Sequence, residues 1–263
     1  MFPPERMGSR LKNRIRFYEK DSIEILFACS EHTFPLHSHE CFCFGVVEEG
    51  SVAFTINGAE KTLHPGMAFI VPSNVGVLIQ AEGRYRYITV CIKNEWKERL
   101  KHLEFRDYFL TFPSSEEIHR LCANYIENGS AETFLNTLLP LMQPAIADRT
   151  TECTEKADPV NAACGYIRAH AQEKFSLDAL ADAVHVSKYY LVKLFKKEMG
   201  VTPHQYYVQV KMHFVREKIL DSQNEADLAM ELEFNDQSHL CNLFKKQMGI
   251  SLQDYKKNHK ELS

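Results

Sequence analysis

The chain lacks any apolar run of about 18 residues, which excludes a helix built to cross a bilayer. Its first twenty residues lack the apolar core of a secretion signal, so a cytoplasmic setting is expected. Cysteine occurs eight times, but there is no CxxC pair and no zinc-finger spacing. The irregular spacing predicts reduced thiols rather than a disulfide framework. A strong basic excess is missing too. The formal net charge is −4, and the residues from 159 onward are close to neutral while the remainder is acidic. Non-specific attraction to a polyanion is therefore modest, and any nucleic-acid affinity must come from specific contacts. What is present is apolar material: 44% hydrophobic residues over 263 positions suffice for one large or two ordinary domains.

The most informative stretch occurs twice. Leu191-Val192-Lys193-Leu194-Phe195-Lys196-Lys197-Glu198-Met199-Gly200, followed by Tyr206, returns as Leu240-Cys241-Asn242-Leu243-Phe244-Lys245-Lys246-Gln247-Met248-Gly249, followed by Tyr255. A constant offset of 49 marks one supersecondary unit used twice. At about 100° per residue, Leu191, Leu194, Phe195 and Met199 share the buried stripe of a helix. Tyr189, Val192, Lys193 and Lys196 point the other way, as do Ser238, Cys241, Asn242 and Lys245 in the second copy. A shorter helix precedes each, over Leu177 to Val184 and Glu225 to Leu232, and Ser187 and Asp236 are natural N-caps for the longer ones. Two short helices with a tight turn make a helix-turn-helix whose second helix can enter a major groove. A solvated amphipathic pair explains one copy equally well. Two copies joined by a long helix, Pro203 to Leu220, suit successive major grooves roughly 34 Å apart. Thr202-Pro203-His204-Gln205 opens that helix with an N-cap, a first-turn Pro and a capping-box Gln.

On these residues the region from about Val160 to Lys257 resembles the DNA-binding domain of the AraC/XylS transcriptional regulators. The matching positions are Leu180-Ala181, Ser187, Leu191, Phe195-Lys196, Gly200, Pro203 and Tyr206, then Leu228-Ala229, Phe234, Asp236, Ser238, Phe244-Lys245-Lys246, Gly249 and Tyr255. The chain departs from that pattern at Glu233, where the family has Gly, at Leu252, where it has Pro, and at Lys211 and Lys256, where it has Arg. A Gly at position 233 would permit positive φ, which Glu adopts only at a cost. The resemblance implies base readout by Tyr189, Val192 and Lys193 in the first unit and by Gln237, Ser238, Cys241 and Asn242 in the second. Lys188, Lys196, Lys245 and Lys246 are placed for phosphates.

Upstream, residues 22–93 read as β-structure. Short β-branched and aromatic runs are punctuated by Glu49-Gly50, Asn57-Gly58, Pro65-Gly66 and Pro72-Ser73-Asn74. This spacing predicts a β-sandwich or jelly roll. His37-Ser38-His39, Gly50, Asn57-Gly58, Leu63-His64-Pro65-Gly66 and Pro72 resemble the cupin-like effector domain that precedes AraC-type DNA-binding domains. If one strand runs through His37, His39, Cys41 and Cys43, all four project from one face as anchors for a small effector. The same set leaves open a metal- or redox-responsive regulator, with His37 and His39 as alternative ligands. Residues 6 to 7 Å apart along a strand cannot all converge on one ion. The Glu and the later His of enzymatic cupins have no counterpart here, so no enzyme and no resident cofactor are expected.

The remaining segments are a basic arm over 1–21, a helical packing segment over 94–148, a polar linker over 149–158, and the DNA-binding domain over 159–263. In the helical segment, Trp96, Leu100 and Leu103 form one stripe. Phe134, Leu138, Leu141 and Met142 form another, which Pro140 bends. The fold class expected is α+β with two domains: a cupin-like sandwich with flanking helices, then an all-α domain of two helix-turn-helix units joined by a long helix. The resemblance further implies a homodimer, an activator that contacts RNA polymerase and double-stranded DNA, and a small-molecule effector.

Overall fold

A computed structural model describes residues 13–147, 159–221 and 224–261 of the chain. The N-terminal part is two facing sheets. Nine strands come first: β1 (Arg14–Lys20), β2 (Ile23–Ser30), β3 (Phe34–Ser38), β4 (Phe42–Glu49), β5 (Val52–Ile56), β6 (Ala59–Leu63), β7 (Met67–Val71), β8 (Gly76–Ala81) and β9 (Tyr85–Ile92). The short helix α1 (Asn94–Glu98), strand β10 (Phe109–Thr111) and helices α2 (Glu116–Asn128) and α3 (Ala131–Met142) follow. The C-terminal part comprises α4 (Pro159–Ala169), α5 (Leu177–Ala183), α6 (Lys188–Met199), α7 (Pro203–Asp221), α8 (Glu225–Glu231), α9 (Gln237–Met248), α10 (Leu252–Asn258) and a last strand, β11 (His259–Glu261). The fold class expected from sequence is the one observed.

The larger sheet runs β10-β7-β4-β9-β2-β1-β11 and the smaller β3-β8-β5-β6. Alternation places Phe54 of β5 against Phe69 of β7, rings stacked 4.4 Å apart between the sheets. The other face of the larger sheet is covered by α2 and α3. Ile118, Cys122, Phe134, Leu138 and Met142 are buried there with Phe44, Val46, Ile88 and Val90. Thus the Phe134 stripe serves packing within the chain. The Trp96 stripe is not one helix, since α1 stops at Glu98, yet Leu100 still joins this core.

Three differences from the sequence reading concern strands. Residues 14–20, read as part of the basic arm, form β1, because Ile15 and Phe17 are buried between outward-facing cationic neighbours. The arm's residues 1–12 and the linker read over 149–158 lie outside the described residues. His37 and Cys43 do not share a strand: the chain bends at Glu40 and Cys41, so β3 belongs to the smaller sheet and β4 to the larger. At the other end β11 pairs in parallel with β1, Phe17 opposite His259, so the final residues of the expected DNA-binding domain complete the N-terminal sheet.

The two helix-turn-helix units are α5–α6 and α8–α9, with α7 between them. Their caps are those read from sequence. Ser187 Oγ accepts from Tyr190 N at 3.2 Å and Asp236 Oδ1 from His239 N at 2.7 Å. Thr202 and Gln205 close a reciprocal box at 2.8 and 3.2 Å. The tight turns contain His185 at φ 56° and Glu233 at φ 49°, so Glu233 does adopt the left-handed conformation that Gly would take more easily. Around Leu191, Phe195 and Tyr206 the first unit has its own core. The second unit's core, with Leu240, Phe244 and Tyr255, continues into the space between the sheets, where Phe17 meets Tyr255 at 4.9 Å.

The first unit instead meets the β-domain backbone to backbone. A Cβ on Gly200, whose φ is 68°, would lie 3.0 Å from the Cα of Gly76. Gly200→Ala therefore combines a left-handed strain of roughly 1–2 kcal/mol with a clash at the junction. Gly58→Ala, with φ 83° and open space around it, carries the strain alone. Denaturant unfolding should show the larger loss for Gly200→Ala; equal losses would mean the junction yields without cost.

Candidate functional site

Two surfaces carry chemistry. The first is the outward face of α6 and α9. Lys188, Tyr189, Lys193 and Lys196 are exposed on α6 and Val192 is half-buried, while Gln237, Ser238, Asn242, Lys245 and Lys246 are exposed on α9 and Cys241 is half-buried. Tyr189 is 80% exposed, which is unusual for a large ring. Some of these groups already have partners. Lys188 Nζ pairs with Asp178 at 2.6 Å, Gln237 Nε2 donates to Glu225 at 3.0 Å, and the Cys241 thiol donates to the same carboxylate at 3.4 Å. Burial, then the hydrogen bond to that carboxylate and its charge, raise the Cys241 pKa to about 11, so Cys241 is a neutral thiol.

The second is a cavity of about 470 Å³ at the junction of the two parts. Its apolar floor is the inter-sheet face, including Leu26, Phe54, Phe69, Val77 and Ile79. Its roof is α7 with Gln209, Met212, His213 and Arg216, and the end of α9 contributes Gln247 and Met248. The effector residues expected from sequence, His37, His39, Cys41 and Cys43, are all in the wall.

The polar groups around it tie the domains together. Glu24 of β2 is 1% exposed and accepts from Arg216 Nη2 of α7 at 2.5 Å and from Lys93 Nζ at 2.8 Å. Lys93 also pairs with Glu19 at 2.7 Å. Burial opposes ionisation of Glu24, but Arg216 and Lys93 outweigh it and hold its pKa at about 2. A second tie runs through Glu40, which accepts from Arg168 Nε of α4 and from the Tyr206 hydroxyl, each at 2.7 Å. Ser38 Oγ donates to Gln209 at 2.9 Å, and His32 Nε2 meets the Lys246 carbonyl at 3.0 Å. Glu24, Lys93, Arg216, Arg168 and Glu40 were not among the residues singled out from sequence. The signal available was a lone Glu inside the apolar run Ile23-Glu24-Ile25-Leu26-Phe27, an ionisable group that burial demands be paired.

The four-residue ligand set read as an alternative is not formed. His39, Cys41 and Cys43 offer donor atoms within 4.8 Å of one another, and His37 is not part of that group. His37 Nδ1 is hydrogen-bonded to the Pro35 carbonyl at 2.6 Å and its Nε2 to His39 Nε2 at 3.0 Å. Burial, then the neighbouring His39, lowers its pKa to about 3, so the ring is neutral. Cys41 and Cys43 stand 3.5 Å apart at sulfur, and Cys43 and Cys91 3.7 Å. Hydrogen bonds from Cys43 and Cys91 pull the Cys41 thiol down, and the same contacts push Cys43 up. The bend before β4 accounts for this convergence, which an extended strand would forbid.

A tandem helix-turn-helix joined to a cavity-bearing β-domain defines a DNA-binding regulator with an effector-type sensor domain. Residues 180–258 match the family described as a helix-turn-helix domain, and residues 22–136 the AraC-like ligand binding domain. The HTH-type transcriptional regulator YbfI of Bacillus subtilis is 26% identical over 79% of this chain and 81% of its own length. The transcriptional activator RhaS of Escherichia coli O81 is 21% identical over 84% of this chain and 87% of its own length. Among solved structures, ToxT from Vibrio cholerae O395 superposes with a TM-score of 0.61 at 10% identity, covering 91% of this chain and 98% of ToxT. A ToxT structure with a bound unsaturated fatty acid gives 0.57 at 11% identity, covering 93% and 94%. The chain belongs to the AraC/XylS family of transcriptional regulators. Its matched relatives over most of the chain are regulators rather than enzymes, and no helix among the described residues is long and apolar enough to cross a membrane.

Glu24 makes stability depend on acid. With its pKa held near 2 against an ordinary 4.5, its contribution is complete above about pH 5 and is lost as the pH falls between those values. Glu24→Gln leaves Arg216 and Lys93 short of their counter-charge, for a loss of about 3–5 kcal/mol at neutral pH. Denaturant midpoints measured from pH 7 to pH 2 should fall less steeply in the variant than in the wild type. Parallel slopes would mean that Glu24 is not ionised in the folded chain.

Proposed function

We propose that this regulator is an activator controlled by a small molecule held in the junction cavity. The observation that carries this reading is the shared wall of the cavity: β-strands form its floor, while the linking helix α7 and the end of recognition helix α9 form its roof. A ligand that prefers one spacing of those walls must shift the population of domain arrangements by its differential affinity. The mostly apolar lining with Ser38, Thr89, Gln209 and His213 at hand suits a small molecule with an apolar body and one or two hydrogen-bonding groups. A fatty acid in a ToxT structure and the activator name of RhaS support the same class of ligand and the same sign of regulation. His37, His39, Cys41 and Cys43 act as wall residues in this reading.

DNA is read by α6 and α9. Lys193 donates to guanine N7 and O6 and Asn242 pairs with adenine, with Tyr189, Val192, Gln237, Ser238 and Cys241 beside them. Lys188, Lys196, Lys245 and Lys246 bind phosphates, Lys188 after leaving Asp178. The regulator works in the cytoplasm as a homodimer that places two such domains on the operator and recruits RNA polymerase. The domains are a sensor over 22–93, a helical dimerisation segment over 94–148 and the DNA-binding part over 159–263.

Genome-wide capture of DNA bound by the wild type and by the Lys193→Ala, Asn242→Ala double variant tests the reading. A recurrent site with two blocks about one helical turn apart is expected, lost in the double variant. Lys193→Ala alone should cost about 1–3 kcal/mol and relax one base position. An equal loss on all sequences would make Lys193 a phosphate contact, and absence of any enriched site with or without cell extract would sink the proposal.

A further inference from the structure

The imidazole and thiols at the bend between β3 and β4 do more than close a cavity wall. Extended backbone would put the Cys41 and Cys43 side chains some 6 to 7 Å apart. Here their sulfurs stand 3.5 Å apart, and Cys91 of the adjacent strand β9 adds a third sulfur 3.7 Å from Cys43. A tetrahedral ion with metal–sulfur bonds of about 2.3 Å needs its sulfurs about 3.8 Å apart, so this spacing is already that of a coordination polyhedron. His39 supplies a nitrogen donor within 4.8 Å of both Cys41 and Cys43.

The second hydrogen-bond layer is in place as well. The Pro35 carbonyl can only accept, so the His37 Nδ1 at 2.6 Å carries a hydrogen. The His37 Nε2 stands 3.0 Å from His39 Nε2, so the two rings are hydrogen-bonded to each other. That contact fixes the orientation of the His39 ring, as an outer partner does for a ligating imidazole. His37 is thus a positioning residue, which accounts for its absence from the donor group.

We propose that His39, Cys41 and Cys43 bind one thiophilic divalent cation of the Zn²⁺ type, with Cys91 behind Cys43 and outside the donor group. Nitrogen and thiolate donors grouped this closely select such an ion over Mg²⁺ or Ca²⁺. Binding releases the two thiol protons to solvent. The dication, two thiolates and a neutral imidazole then sum to zero charge, which suits a wall that is largely apolar. The site does not depend on the identity of the cavity's small-molecule effector, and it could be filled whether or not the effector reading holds.

The test uses the full-length chain, purified under reducing conditions and stripped with chelator. Co²⁺ is added as a spectroscopic probe. The expected result is thiolate-to-cobalt charge-transfer absorption with the visible bands of a tetrahedral ion, saturating at one equivalent and abolished by Zn²⁺. Cys41→Ser and Cys43→Ser should each weaken the charge-transfer band and Zn²⁺ affinity, and the double variant should lose both. Cys29→Ser, on the opposite face of β2, should keep them. His37→Gln should lower Zn²⁺ affinity about 10–100-fold while keeping the thiolate band, because it removes only the orienting hydrogen bond. Should the serine variants fail to fold, the wild type decides by itself: Zn²⁺ should slow alkylation of Cys41 and Cys43, read by peptide mass spectrometry, and leave Cys29 and Cys241 unchanged. A missing thiolate band in the wild type, a band that survives loss of both Cys41 and Cys43, or alkylation equally fast with and without Zn²⁺ would overturn the site.

Discussion

Much of this structure depends on a single buried carboxylate. Glu24 sits near the start of strand β2, almost without solvent, and its charge persists only because Lys93 and Arg216 reach it. Lys93 belongs to the β-domain, but Arg216 arrives from the linking helix α7, nearly two hundred residues later. An ion pair of this kind adds little net stability over an apolar contact, yet leaving one partner alone is costly. Its effect is on geometry: the linking helix must lie where Arg216 can meet Glu24, with Arg216 also packed over the rings of Phe17 and Tyr255. Since α7 joins the two helix-turn-helix units, this ion pair constrains the helix from which both extend.

The two units are nonetheless held differently. The second shares its core with the inter-sheet space and sends β11 onto the edge of the larger sheet, so moving it would expose apolar surface around Phe17 and Tyr255. The first keeps a core of its own and meets the β-domain through polar or backbone contacts, namely Glu40 with Arg168 and Tyr206, and Gly76 against Gly200. Contacts of that sort exchange readily for water, whereas buried apolar area does not. The asymmetry makes the first unit the one whose position against the β-domain can change at least cost.

The helical half was legible in the sequence because each of its signals is local. Period-3.6 stripes, the caps at Ser187 and Asp236, the Thr202–Gln205 box and the recurring Lys-Lys-x-Met-Gly ending all act within a few residues. Strands β2, β4, β5, β7, β8 and β9 were legible from their apolar runs. By contrast β3 contains Pro35, β6 reads Ala-Glu-Lys-Thr-Leu, and β11 carries no strand signal, so tertiary contacts alone make them strands. The candidate site was half visible. His37, His39, Cys41 and Cys43 stood out by type, but a bend, not a strand, brings the donors together, and the sequence carried no sign of it. The partners of Glu24 were invisible because they lie 69 and 192 positions away from it and only the fold joins them.

The bend at Glu40 links these features. His39 and Cys41 flank it on the cavity wall, while Glu40 itself faces the first helix-turn-helix unit and holds Arg168 and Tyr206. The backbone there is further pinned by Asn74 N donating to the His39 carbonyl at 2.6 Å. His39 and Cys41 are the two chain neighbours of Glu40, so the wall and this carboxylate share their backbone. A carboxylate that accepts two hydrogen bonds at 2.7 Å cannot rotate without weakening at least one of them, because such bonds fail steeply with angle. The partners of Glu40 sit on α4 and at the start of α7, both of which pack against α6. The cavity wall and the first helix-turn-helix unit thus meet at one residue, through two hydrogen bonds.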